Sequence, residues 1–118
     1  MSFGYDFDDK PENFGFELVD SLDDGGGYDW DIMKVWKNTA TGQMYFHRDS
    51  GCSCNSFLDD VDSPADLTEL TEATWAEMEA AAKEVYGVDE PARGAFIANV
   101  RRAFMKKPTT PRGKDWLR

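Results

Sequence analysis

Apolar residues change their spacing near the middle of the chain. Phe14, Phe16, Leu18 and Leu22 fall on alternate positions with Glu17 and Ser21 between them, which predicts a strand over 14–22. The Asp-Asp-Gly-Gly-Gly run at 23–27 reads as a turn or loop. A second strand is predicted over 29–37, with Trp30, Ile32 and Trp36 on one face and Met33 and Val35 on the other, so it should be covered on both sides. Residues 38–42 read as a hairpin loop whose Gly42 takes the left-handed conformation. They lead into an aromatic-rich third strand over 43–48. Short connections make these three strands an antiparallel meander.

Helical spacing takes over after residue 73. Thr74 to Glu77 has the form of a capping box, and Trp75, Met78, Ala82 and Val85 recur at steps of three and four, predicting a helix over 74–86. Glu79 and Lys83 form an outward pair, and Gly87 is the stop. Asp89, Glu90 and Pro91 open a second helix, 90–106, with Ala92, Phe96, Val100, Ala103 and Phe104 as its apolar stripe. The expected fold class is α+β, with both helices packed on one face of the three-stranded sheet. Residues 1–12 read as a flexible acidic leader, 13–107 as a single α+β domain, and 108–118 as a basic, proline-containing tail.

The chain has 118 residues, 41% of them hydrophobic, enough for one small core and too many for full disorder. No apolar run approaches the roughly 18 residues of a membrane span, and the first ten residues lack the features of a secretion signal. A soluble protein with no membrane partner is expected.

Charge is unevenly spread. Residues 1–90 carry 22 of the 23 acidic residues and five of the 13 basic ones, a net of −17. Residues 91–118 carry the other eight basic residues and Asp115, a net of +7. An acidic body of this kind repels nucleic acid and anionic lipid, whereas the basic end attracts both. Arg101, Arg102, Lys106, Lys107, Arg112 and Lys114 are the candidate phosphate contacts of that arm; the other reading is compensation of a helix dipole plus a soluble tail. Trp116 near the end either tucks into the core or anchors a partner.

Cys52 and Cys54 are the only cysteines, and a disulfide across one intervening residue would be strained. A reducing cytoplasm fits this usage. His47, Asp49, Cys52 and Cys54, with Asp59 as an alternative to Asp49, are the side chains that could surround a zinc ion, although the spacing differs from that of common zinc sites. The same cluster admits a Cys–His dyad. With no strand-turn-helix elbow and no second base, the expectation is a protein that is not an enzyme and needs no cofactor. Asp59, Asp60 and Asp62 are dense enough to suggest calcium, but the run lacks the ligand pattern of an EF-hand and reads as a solvated acidic loop.

Residues 28–38 (YDWDIMKVWKN), 42–46 (GQMYF) and 49–57 (DSGCSCNSF) carry a resemblance to a group of small uncharacterised proteins encoded by phages of actinobacteria, with the S-G-C-S-C signature as its most specific part. The resemblance implies a phage product acting in the host cytoplasm or carried in the virion, and it transfers no functional residue. In that context the expected function is binding and modulation of a host protein. The candidate surface is the 50–57 loop with its acidic rim, namely Ser50, Cys52, Ser53, Cys54, Asn55, Phe57, Asp59 and Asp60, or else the Trp116 tail. The alternatives are nucleic-acid association through the basic arm, a minor virion component, and a zinc- or thiol-dependent role of the cysteine loop.

Overall fold

The computed structural model describes residues 3–23, 29–52 and 56–105. In chain order they form α1 (Phe3–Asp9), a 3-10 turn, β1 (Phe16–Asp23), β2 (Asp29–Asn38), β3 (Met44–Cys52), a second 3-10 turn, β4 (Thr68–Leu70), α2 (Trp75–Glu84) and α3 (Glu90–Met105). The strands make one antiparallel sheet in the order β1-β2-β3-β4. The class is α+β, as the switch of period predicts, but four strands and three helices replace the three and two expected. The added strand, β4, is only three residues long and pairs Leu70, Glu69 and Thr68 with Met44, Tyr45 and Phe46. Three residues are too few to show a period.

The two faces of β2 sort as its pattern predicts. Met33 and Val35 join Leu22, Met44, Phe46 and Leu70 beneath Met78, Ala82, Phe96 and Val100 of α2 and α3. Trp36 faces the opposite core with Phe7, Phe16, Phe57, Leu58, Val61 and Leu67, and Trp30 and Ile32 pack at its margin. The sheet is thus the middle of three layers.

The acidic start of the chain supplies part of the third layer, which corrects the expected loose leader. Phe7 of α1 is fully buried, its ring 5.3 Å from Phe16 and 5.2 Å from Trp36. Gly4 permits this docking: a Cβ there would sit 1.9 Å from the Leu58 carbonyl oxygen.

β1 departs from simple alternation. Its register against β2 shifts between Leu18 and Asp20, leaving Val19 as a bulge. Phe16 therefore faces the aromatic core while Val19 and Leu22 face the helices. One extra residue reverses the faces of everything that follows, so the single 14–22 stripe is really two.

The helix ends follow different chemistry from that expected. Thr74 makes no side-chain cap to α2. Its hydroxyl instead donates to the Glu69 carbonyl at 2.7 Å and accepts the Thr71 N–H at 2.8 Å, tying β4 to the helix start. Asp89 does cap α3, accepting the Ala92 N–H at 3.0 Å. Gly42 adopts the left-handed conformation expected of it, and Gly87, beyond the end of α2, adopts it too. Lys106, Lys107 and the 108–118 tail lie outside the described residues.

Candidate functional site

The 50–57 segment is less of a loop than its composition suggests. Ser50 and Cys52 belong to β3, opposite Asp31 and Asp29 of β2. Ser53, Cys54 and Asn55 lie outside the described residues. Phe57 is buried rather than presented: its ring is stacked 6.3 Å from Trp36, lies 5.8 Å from His47, and receives the Lys34 ammonium at 5.5 Å. Phe57 therefore acts as a plug of the aromatic core, a correction to its expected role on a binding rim. Asp59 accepts the Ser56 N–H at 2.9 Å and so closes the turn, while Asp60 is exposed.

The proposed zinc ligands do not converge among the described residues. No group of three or more His, Cys, Asp and Glu side chains there is arranged to hold a metal. The continuous β2–β3 register puts His47 and Asp49 on one face of β3 and Cys52 on the other. Burial lowers the pKa of His47 below its ordinary value, and the nearby carboxylates of Asp49, Asp60 and Asp66 pull it partly back. Cys54 lies outside the described residues.

Polar residues with strong partners lie instead on the helix-covered face. Asp31, the buried carboxylate there, receives Arg48 Nε on Oδ1 at 3.0 Å and Nη2 on Oδ2 at 2.6 Å. It also accepts the Tyr86 N–H at 3.0 Å, and Arg48 reaches the Glu84 carbonyl at 3.2 Å. The hydrogen bond to Asp31 raises the pKa of Arg48 further above its ordinary value. Arg93 donates Nε to the Ala82 carbonyl at 3.0 Å and Nη2 to the Val85 carbonyl at 2.8 Å, and pairs with Glu90. Both arginines donate to carbonyls at the end of α2, and that of Ala82 also accepts the Val85 N–H at 3.4 Å. These four groups build the α2–α3 corner and are structural.

The described part of the basic arm is also engaged. Arg101 pairs with Glu79 at 3.2 Å and lies 4.9 Å over the Trp75 ring. Glu79 is thereby turned toward α3 instead of toward Lys83. Arg102 donates to the Asn99 side chain at 2.9 Å. Lys106, Lys107, Arg112, Lys114 and Trp116 lie outside the described residues.

Two grooves border edge strand β1. A groove of about 300 Å³ lies between β1 and the end of α1. Its floor is apolar, from Pro11, Phe16, Leu18 and Trp36, and Asp9 and Glu12 supply carboxylates to its lining, whereas the Glu17 side chain, on the other face of β1, pairs with Lys37 at 3.9 Å. Asp8 and Lys34 also line it and are joined by an ion pair of 2.6 Å. A second groove, of about 350 Å³, lies between β1 and α3 and is lined by Val19, Asn99, Arg102 and Ala103. Glu17 and Leu18 border both grooves, and Leu18 is 45% exposed. Sequence periodicity places Leu18 in a strand but gives no sign that the strand is at the edge, which is why this surface was not among the expected sites.

Among the described residues no helix is long and apolar enough to cross a membrane. No curated protein and no solved structure matches this chain. A family model does match residues 6–105, from α1 through the end of α3, and the chain accordingly belongs to the family described as Domain of unknown function (DUF7574).

Proposed function

We propose that this protein is a non-enzymatic interaction protein, phage-encoded and acting in the host cytoplasm, that binds a basic host protein and modulates it. The observation that carries this reading is the charge of the folded body. Residues 1–90 hold a net of −17, and among the described residues their carboxylates are exposed or half-buried, with Asp31 as the buried exception. A field of one sign raises the encounter rate with an oppositely charged surface and repels like-charged ones. The rival reading, association with nucleic acid through the C-terminal arm, gains less support, because Arg101 and Arg102 already have partners within α2 and α3.

The test is affinity capture by the tagged full chain from host lysate, with and without nuclease, at low and high salt. The expected result is a stoichiometric basic protein that survives nuclease and is lost as salt rises. Loss of every partner on nuclease treatment would move the function to the basic arm. Capture of nothing under any condition would overturn the interaction reading.

A further inference from the structure

We propose that the β1 edge over Phe16–Leu18 is the docking site for an extended, basic segment of a protein partner, which adds to the sheet as a strand and places a lysine or arginine in the groove beside α1. This rests on the interaction reading above and names its surface.

Three observations converge on this edge. First, β1 is terminal in the strand order, with β2 as its one strand neighbour among the described residues. An edge strand presents unpaired N–H and C=O groups, and an extended peptide can satisfy them. The Val19 bulge breaks the regular ladder, and α3 bonds to the strand just beyond it, Asn99 to Asp20 at 2.8 Å. The usable edge is therefore the short stretch before the bulge.

Second, this stretch lies between two grooves that share Glu17 and Leu18. Successive side chains of an added strand point to opposite faces. Alternate residues of the peptide would enter the groove beside α1 and the groove beside α3.

Third, the two grooves differ in chemistry. The one beside α1 combines an apolar floor with the carboxylates of Asp9 and Glu12. Its one cation, Lys34, is already paired with Asp8. A lysine or arginine matches both parts, its methylenes over Leu18 and its charged head among the carboxylates. The groove beside α3 has Arg102 at its margin, Lys37 paired there with Glu17, and Val19 and Ala103 within, so it favours a small uncharged side chain. The preferred ligand is then a segment in which basic residues alternate with small or apolar ones.

The test is a titration of the isotopically labelled full chain, followed by amide NMR, with a capped hexapeptide alternating lysine and valine. The same peptide with glutamate in place of lysine is the control. The expected result is shifts centred on the amides of Phe16–Leu18 from the basic peptide alone. Asp9→Lys with Glu12→Lys should weaken binding at least about tenfold at low salt, whereas Asp60→Lys with Asp62→Lys, outside the lining of either groove, should weaken it less than about twofold. Dispersion of the spectrum reports that each variant is folded. Equal weakening by both pairs, shifts centred elsewhere, or no binding of the basic peptide would overturn the proposal. So would self-association through the same amides, or their shift on deleting residues 106–118 without peptide, which would assign the edge to a second copy or to the chain's own basic end. Lysate capture separates the two readings. If the Asp9/Glu12 variant captures the partner as well as the parent chain does, the groove is wrong and the interaction function stands; if the parent chain captures nothing, the interaction function itself falls.

Discussion

Arg48 holds Asp31 by two parallel hydrogen bonds, Nε to Oδ1 at 3.0 Å and Nη2 to Oδ2 at 2.6 Å, across adjacent strands beneath the α2–α3 corner. Asp31 is only 6% exposed, and its Oδ2 also accepts the Tyr86 N–H. Removing Arg48 leaves a buried carboxylate with one neutral donor. Removing Asp31 leaves the cation with Glu84, whose side chain is 70% exposed. Loss of one partner of a buried pair costs about 3–5 kcal/mol, and partial exposure of Arg48 reduces this to about 2 kcal/mol here. Denaturant unfolding of Asp31→Ala, Arg48→Ala and the double variant should show each single change near that loss and the double clearly less than their sum. Strict additivity would mean the two residues act independently.

Gly4 meets the Leu58 backbone at a distance that leaves no room for a side chain. In an exposed helix, alanine is favoured over glycine by about 1 kcal/mol, so propensity alone makes Gly4→Ala stabilising. The steric term has the opposite sign: the new Cβ would lie 1.9 Å from the Leu58 oxygen and 2.9 Å from its Cβ. Overpacking of this kind costs about 1–3 kcal/mol, and the neighbour is backbone at a residue of positive φ, which has little freedom to give way. The clash should win, with Gly4→Ala lowering stability and loosening α1 from the Phe7 pocket. Near-ultraviolet circular dichroism, sensitive to Trp36 beneath Phe7, checks this; a gain in stability would show that α1 is not docked there.

How much of this was legible in the sequence varies by element. The two faces of β2 could be read because Trp36 and Val35 sit on opposite parities of a long strand and each parity is apolar enough to need cover. Asp31 shares its parity with Met33 and Val35, so a lone carboxylate at an inward position was a readable sign of a buried partner, but Arg48 as that partner follows only from the β2–β3 register. The Val19 bulge has no local signature; it is set by how Phe16 and Leu22 must reach different cores. Phe7 is a single apolar residue among aspartates, and its burial depends on a pocket made by Trp36 and Phe57 far along the chain. The cysteine motif drew attention by its rarity, yet Cys52 is a strand residue. The β1 grooves could not be read at all, since strand order and α1 docking arise only in three dimensions.

Arg93 has its side chain 11% exposed and its guanidinium on the last carbonyls of α2. Its planar fork reaches Ala82 and Val85 together, a geometry that a lysine ammonium cannot reproduce. Hydrogen bonds to a charged group contribute about 1.5–3 kcal/mol, so Arg93→Met should cost roughly 2 kcal/mol and Arg93→Lys should recover less than half of it. Amide hydrogen exchange should rise at Val85 through Val88 and stay unchanged in β2 and β3. Full rescue by lysine would mean that charge, and not the shape of the cap, holds the corner.

His47 is the only histidine, so its titration can be followed without assignment against others. Burial against Phe57 disfavours the imidazolium and lowers the pKa below 6.5, with Asp49, Asp60 and Asp66 opposing. The folded chain therefore binds fewer protons than the unfolded chain just below that value, and stability rises with pH in this window. The contribution is fully present above the unfolded value of about 6.5 and is lost as pH falls from there through the folded pKa. Replacing His47 by glutamine should flatten the stability profile between neutral and mildly acid pH. Asp60→Asn should lower the folded pKa further, because one of the charges that favours the imidazolium is gone. A proton titration of the ring Cε1–H gives the folded value directly. A midpoint above 6.5 would mean that the three carboxylates outweigh burial, and stability would then fall with rising pH across the same range.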